Sequence, residues 1–191
     1  MKLYNFEGTL IFIQMNPYLI APLEKLSQST TVLFNKLANT NLEILQKKPT
    51  ENGWSVIQVI NHLIMSETQS LMYLTKKING IGEVNDRQWT DFYKIPLMRL
   101  SMSGRIRFKA PKFVSNPSNV ETLDEVKEKW NNQREKFRQF LDEFPDEHME
   151  KKIFRHPFAG RITLLQTILF FNFHLYHHQT QIDRILKAIN G

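Results

Sequence analysis

Apolar residues recur at helical spacing in four stretches of the chain. Leu23, Leu26, Thr30, Leu33, Phe34, Leu37 and Leu45 predict a first helix from about 22 to 46, with Pro22 in its first turn and Pro49 and Gly53 closing it. Val56, Val59, Ile60, Leu63, Leu71, Leu74 and Ile78 form the buried stripe of a second, stopped by Gly80 and Gly82. Val126, Trp130, Phe137, Phe140 and Leu141 predict a third from Thr122 to about Phe144, before Pro145. Leu164, Ile168, Phe171, Leu175, Ile182, Ile185, Leu186 and Ile189 carry a fourth to Asn190. Three of the starts have the same chemistry. Ser55 with Gln58, Thr122 with Glu125 and Thr163 with Gln166 each form a capping box, in which hydroxyl and carboxylate or amide satisfy each other's backbone N–H groups.

Four helices of this kind predict an all-α protein, a four-helix bundle built as one domain over residues 15–191. Residues 80–121 read as irregular, with a short helical turn around 86–100. A connection of that length allows a crossover between helices 2 and 3. Residues 1–14 fall outside the helical pattern and are expected to be an N-terminal extension, either a peripheral arm or a segment upstream of a start at Met15.

Composition narrows the chemistry. The chain has 191 residues, 41% of them hydrophobic, enough for one substantial core, and only seven Gly and eight Pro. It has no cysteine, which removes disulfides, thiol nucleophiles and thiolate-held metals. No apolar run reaches membrane length, so the expectation is a soluble cytoplasmic protein with no membrane partner. The net charge of +6 is matched by Lys94, Arg99, Arg105, Arg107, Lys109 and Lys112, in a stretch from 92 to 120 without acids. That stretch reads either as a solvated loop or as a basic wall for an anionic small-molecule substrate. It has no nucleic-acid docking motif, so no nucleic-acid partner is expected.

Three of the six histidines lie within Phe173-His174-Leu175-Tyr176-His177-His178. On a helix His174 and His178 are one turn apart and about 40° apart around the axis, both within the apolar face. His177 lies about 60° to the other side of His174, at the rim of that face. Two imidazoles so placed are either packed core residues or a pair of metal ligands, and a catalytic metal needs a third. His62, on the edge of the second helix's stripe beside Ser66, Gln69 and Tyr73, is the candidate. Glu67 falls on the stripe itself, where a carboxylate must be paired or hydrogen-bonded.

Three segments resemble the DinB/YfiT-like superfamily. Trp54-Ser55-Val56-Ile57-Gln58-Val59-Ile60-Asn61-His62-Leu63 is similar to its tryptophan–serine to histidine–leucine segment. His156-Pro157-Phe158-Ala159-Gly160-Arg161-Ile162-Thr163 resembles its lead-in to the last helix, and His174 to His178 its closing His-x-x-x-His signature. The resemblance spans about residues 20–190. It implies an up-down-down-up bundle, a homodimer, and a divalent metal, zinc or nickel, on His62, His174 and His178. It also implies an activity such as transfer of a low-molecular-weight thiol, as in members using bacillithiol, mycothiol or glutathione, or the isomerisation of maleylpyruvate.

Together these readings point to a metal-dependent enzyme that activates a thiol or water, a thiol S-transferase or hydrolase. Glu67, His177 and Tyr73 are its candidate proton-transfer or supporting groups. Arg105, Arg107 and Lys109 are candidate contacts for the carboxylates of a thiol cofactor. The alternative is a stress-associated protein that keeps the metal but catalyses nothing.

Overall fold

A computed structural model describes residues 3–6, 9–12, 15–103 and 115–191, the first two segments as backbone strands. Four long helices dominate the described residues: α1 (Pro17–Leu37), α3 (Val56–Ile78), α5 (Leu123–Asp142) and α6 (Leu164–Asn190). The shorter α2 (Leu42–Gln46) and α4 (Lys94–Ser101) lie in the connections. The described residues also form two antiparallel hairpins: β1 (Leu3–Phe6) with β2 (Thr9–Phe12), and β3 (Phe154–His156) with β4 (Gly160–Ile162). Arg105, Arg107, Lys109 and Lys112 lie outside the described residues.

All three capping boxes are formed, and they set where α3, α5 and α6 begin. The first helix differs from expectation at both ends. It starts at Pro17, because the Asn16 side chain accepts the Tyr18 N–H and Pro17 suits a first turn; Pro22 lies inside the helix. It stops at Leu37, because the Thr40 N–H closes a turn on Leu37 and Asn41 caps a new short helix by accepting the Glu43 N–H. The polar Asn39-Thr40-Asn41 run breaks the apolar period there, so Leu45 belongs to α2.

Cross-helix contacts fix the directions. Asn172 donates to the Pro22 carbonyl, Gln179 to that of Ser29, and Lys36 pairs with Asp183, so α1 and α6 run parallel. Lys129 donates to Asn61 and Arg134 to Glu67, so α3 and α5 run parallel. Phe34 meets Trp130 and Thr30 meets Arg134, which makes α1 antiparallel to α5. The path is up-down-down-up. Trp130, Phe137, Phe171, Leu26, Ile57 and Leu63 are among the side chains packed without exposure at its centre.

The segment before α4 is tied inward by charge. Asp91 pairs with Lys94 at 2.8 Å and Lys152 at 3.4 Å, and Lys94 donates to the Arg161 carbonyl at 2.6 Å. Burial works against the Asp91 charge, but the Gln88 N–H, Lys94 and Lys152 outweigh it and hold the carboxyl at about 2. Gly160, which turns the chain from β3 into β4, has a φ of 67°. Among the described residues no atom lies within 4 Å of a Cβ added there, so the left-handed backbone is what resists substitution. Gly160→Ala should therefore cost ~1–2 kcal/mol of unfolding free energy, read from a urea midpoint at unchanged slope.

Candidate metal centre

Helix α3 delivers His62 from its second turn, and α6 delivers His174 and His178 from its middle. All three are buried, between 5% and 8% exposed. The Nε2 atom of His178 lies 3.0 Å from that of His174, and the Nε2 of His62 lies 3.4 Å from it. One donor atom from each histidine falls within 4.8 Å of the others. Two ligands of a tetrahedral ion with metal–nitrogen bonds of about 2.0–2.1 Å stand ~3.3 Å apart. The residues therefore fit a small divalent ion. Among the described residues, the group has three protein donors and no carboxylate.

The surroundings suit the donor role. Nδ1 of His178 donates to Oε1 of Gln181 at 2.7 Å, which puts the proton on Nδ1 and leaves Nε2 a lone pair facing its neighbours. Burial is the main cause that drops His178 to about 3, with His62 and His177 adding to it and the Gln181 bond opposing it. His174 is pushed well below the ordinary imidazole value, first by burial and then by the neighbouring histidines. Both are neutral at pH 7, the form that binds metal. Trp54 lies against His62 with ring centres 5.0 Å apart, and Phe170 stacks on His174 at 5.4 Å.

The other candidate residues are placed differently. His177 is half-buried at the rim, its ring 4.9 Å from that of His178, and its Nδ1 donates to the Met102 carbonyl at 3.0 Å. Glu67 is committed elsewhere. Its carboxylate receives Arg134 at 2.5 and 2.7 Å and the Trp130 N–H at 3.0 Å, both from α5. It projects about 140° around α3 from His62. Tyr73 shares the face of His62 but sits ~16 Å further along the helix, against Phe154 and Lys77. The structure thus gathers the three histidines with His177 beside them, and does not bring Glu67 or Tyr73 to that cluster. Sequence reasoning missed Gln181, although its spacing of three residues from His178 was a readable signal.

Buried neutral histidines make stability depend on pH. In the unfolded chain each takes a proton near 6.5, whereas His156, held down to about 4 by burial, and His174 and His178 do not in the fold. The unfolded state therefore binds more protons below 6.5, and stability falls as pH drops. Asp91 contributes nothing to this window, since its stabilisation is lost only below the ordinary aspartate value. The metal-free protein should show a urea midpoint that declines steadily from pH 7 to 5. A midpoint constant over that range would contradict the burial of these rings.

The profile of the DinB superfamily matches residues 25–182 of the chain. The chain belongs to the DinB superfamily. An Oceanobacillus iheyensis protein, named "putative metal-dependent hydrolase", is 22% identical over 189 residues, covering 96% of this chain and 92% of its own. Among solved structures, Bacillus subtilis YfiT, described as a probable metal-dependent hydrolase with an unusual four-helix bundle topology, aligns over 98% of this chain and 94% of its own, with a TM-score of 0.47 and 17% identity. Family membership joins the histidine cluster to a sequence class. The donor chemistry rests on this chain's own residues.

Proposed function

We propose that this protein is a metal-dependent hydrolase whose centre is held by His62, His174 and His178, with zinc or nickel as the ion. One observation carries the reading: three buried imidazoles converge, with no fourth protein donor in the group among the described residues. Three protein ligands and an open position characterise catalytic rather than structural sites. The ion, when bound, supplies Lewis acidity that brings the pKa of a water or thiol towards neutrality. The name of the Oceanobacillus relative agrees with hydrolysis.

His177 is the side chain best placed to move a proton. Its Nδ1 is engaged as donor to Met102, so its Nε2 is the acceptor at the rim of the cluster. Glu67 has both oxygens taken by Arg134 and Trp130 and acts in this reading as a packing element between helices.

The test uses untagged protein stripped by chelator and reloaded with zinc or nickel, assayed on a panel of esters, amides and lactones. Hydrolysis that appears with the ion and is absent in His62→Ala supports the reading. A faster reaction of a low-molecular-weight thiol with an electrophile would assign the site to thiol transfer. Tight metal binding with no turnover in either assay would favour a binding protein.

A further inference from the structure

We propose that His156, which is not in the donor cluster, is a positioning residue that holds the metal ligand His174 in place through Phe170. The inference rests on the metal-centre reading above. His156 ends β3 and is 1% exposed. Its Nδ1 accepts the N–H of Phe158 at 3.1 Å and of Ala159 at 3.0 Å, so the proton of the neutral ring sits on Nε2. Among the described residues, that Nε2–H is buried without a hydrogen-bond partner.

A buried donor left unpaired costs free energy, and an apolar residue would avoid that cost. The ring meets Phe158, at 5.9 Å between ring centres, and more closely Phe170, at 4.6 Å and 80° between planes. Perpendicular contact at that distance is the favourable edge-to-face arrangement, and it suits an N–H directed at an aromatic face. Phe170 in turn lies almost parallel to His174, 15° between planes and 5.4 Å between centres.

A metal-bound histidine is usually oriented by a hydrogen bond on its other ring nitrogen. His178 has one, donated by its Nδ1 to Gln181. Among the described residues, the hydrogen bonds of His174 are those at Nε2 to the other two histidines. Its ring plane is therefore set by packing, and Phe170 supplies the flat surface. The two backbone N–H groups fix His156, His156 fixes Phe170, and Phe170 fixes His174. The hairpin before α6 thereby serves the metal site without touching the ion.

The experiment is cobalt(II) titration of the untagged full chain, followed by visible absorption, beside thermal unfolding of each metal-free protein. His156→Asn keeps a short acceptor for the two turn N–H groups and removes the ring; Phe170→Leu removes the stack and leaves the hairpin intact. Each should weaken cobalt binding by roughly 10–100-fold, as loss of an outer partner does, and change the absorption bands at saturation. A purely structural role would lower the unfolding temperature with affinity and bands unchanged. Wild-type affinity and spectrum in His156→Asn would overturn the inference while leaving the centre standing. The same result in Phe170→Leu would overturn it even if His156→Asn fails to fold. If wild type itself binds no cobalt, the metal-centre reading fails first and takes this one with it.

Discussion

Arg134→Met should destabilise the protein by about 3–5 kcal/mol, because it leaves the Glu67 carboxylate buried without its cation. Glu67 is 4% exposed and Arg134 13%, and the guanidinium reaches both carboxylate oxygens. The pair is reinforced from several sides. The Trp130 N–H donates to Glu67, the Trp130 ring lies 5.2 Å from the guanidinium carbon, and Thr30 of α1 stands 3.4 Å from the same group. Three of the four long helices therefore meet at this one charge pair. Urea unfolding at pH 7 should show the lowered midpoint. Arg134→Met combined with Glu67→Leu should recover much of the loss, since replacing both members with apolar groups removes the uncompensated charge. Metal affinity should change little in either variant, because Glu67 faces away from His62. A strong loss of metal in Arg134→Met at a temperature where the protein is folded would mean that Glu67 serves the centre after all.

His62→Ala should abolish stoichiometric metal binding while leaving the bundle folded. Histidine 62 is the one donor that α3 contributes, so its loss leaves a two-imidazole site on α6 alone. The affinity should fall by more than the roughly 10–100-fold that loss of an outer partner costs. Equilibrium dialysis against zinc, with circular dichroism to confirm helix content, would check this. Unaltered affinity would place the metal elsewhere.

Much of this is legible in the sequence alone, for identifiable reasons. Helix starts were written in local pairs such as Thr163 with Gln166, which meet in the fold as their spacing requires. His174 and His178 were readable because their relation is set by helical geometry alone. His62 was reachable because it sits on the edge of a clear apolar stripe. What stayed hidden depends on which faces of different helices meet. Trp130 and Arg134 share a face of α5 by spacing, yet only the parallel packing of α3 and α5 turns that face towards Glu67. The break between α1 and α2 was missed because Leu45 continues the apolar period across a polar gap. His156 showed itself only as part of a motif; its contact with Phe170 requires the hairpin to fold back onto α6.

The most direct measurement is the metal content of the purified, untagged protein by elemental analysis, beside a His174→Ala/His178→Ala double variant. The account predicts about one zinc or nickel per chain in wild type and none in the variant. Absence of metal from both, with added zinc and nickel failing to bind, would contradict it. The up-down-down-up bundle would stand, and its three central histidines would be packed core residues.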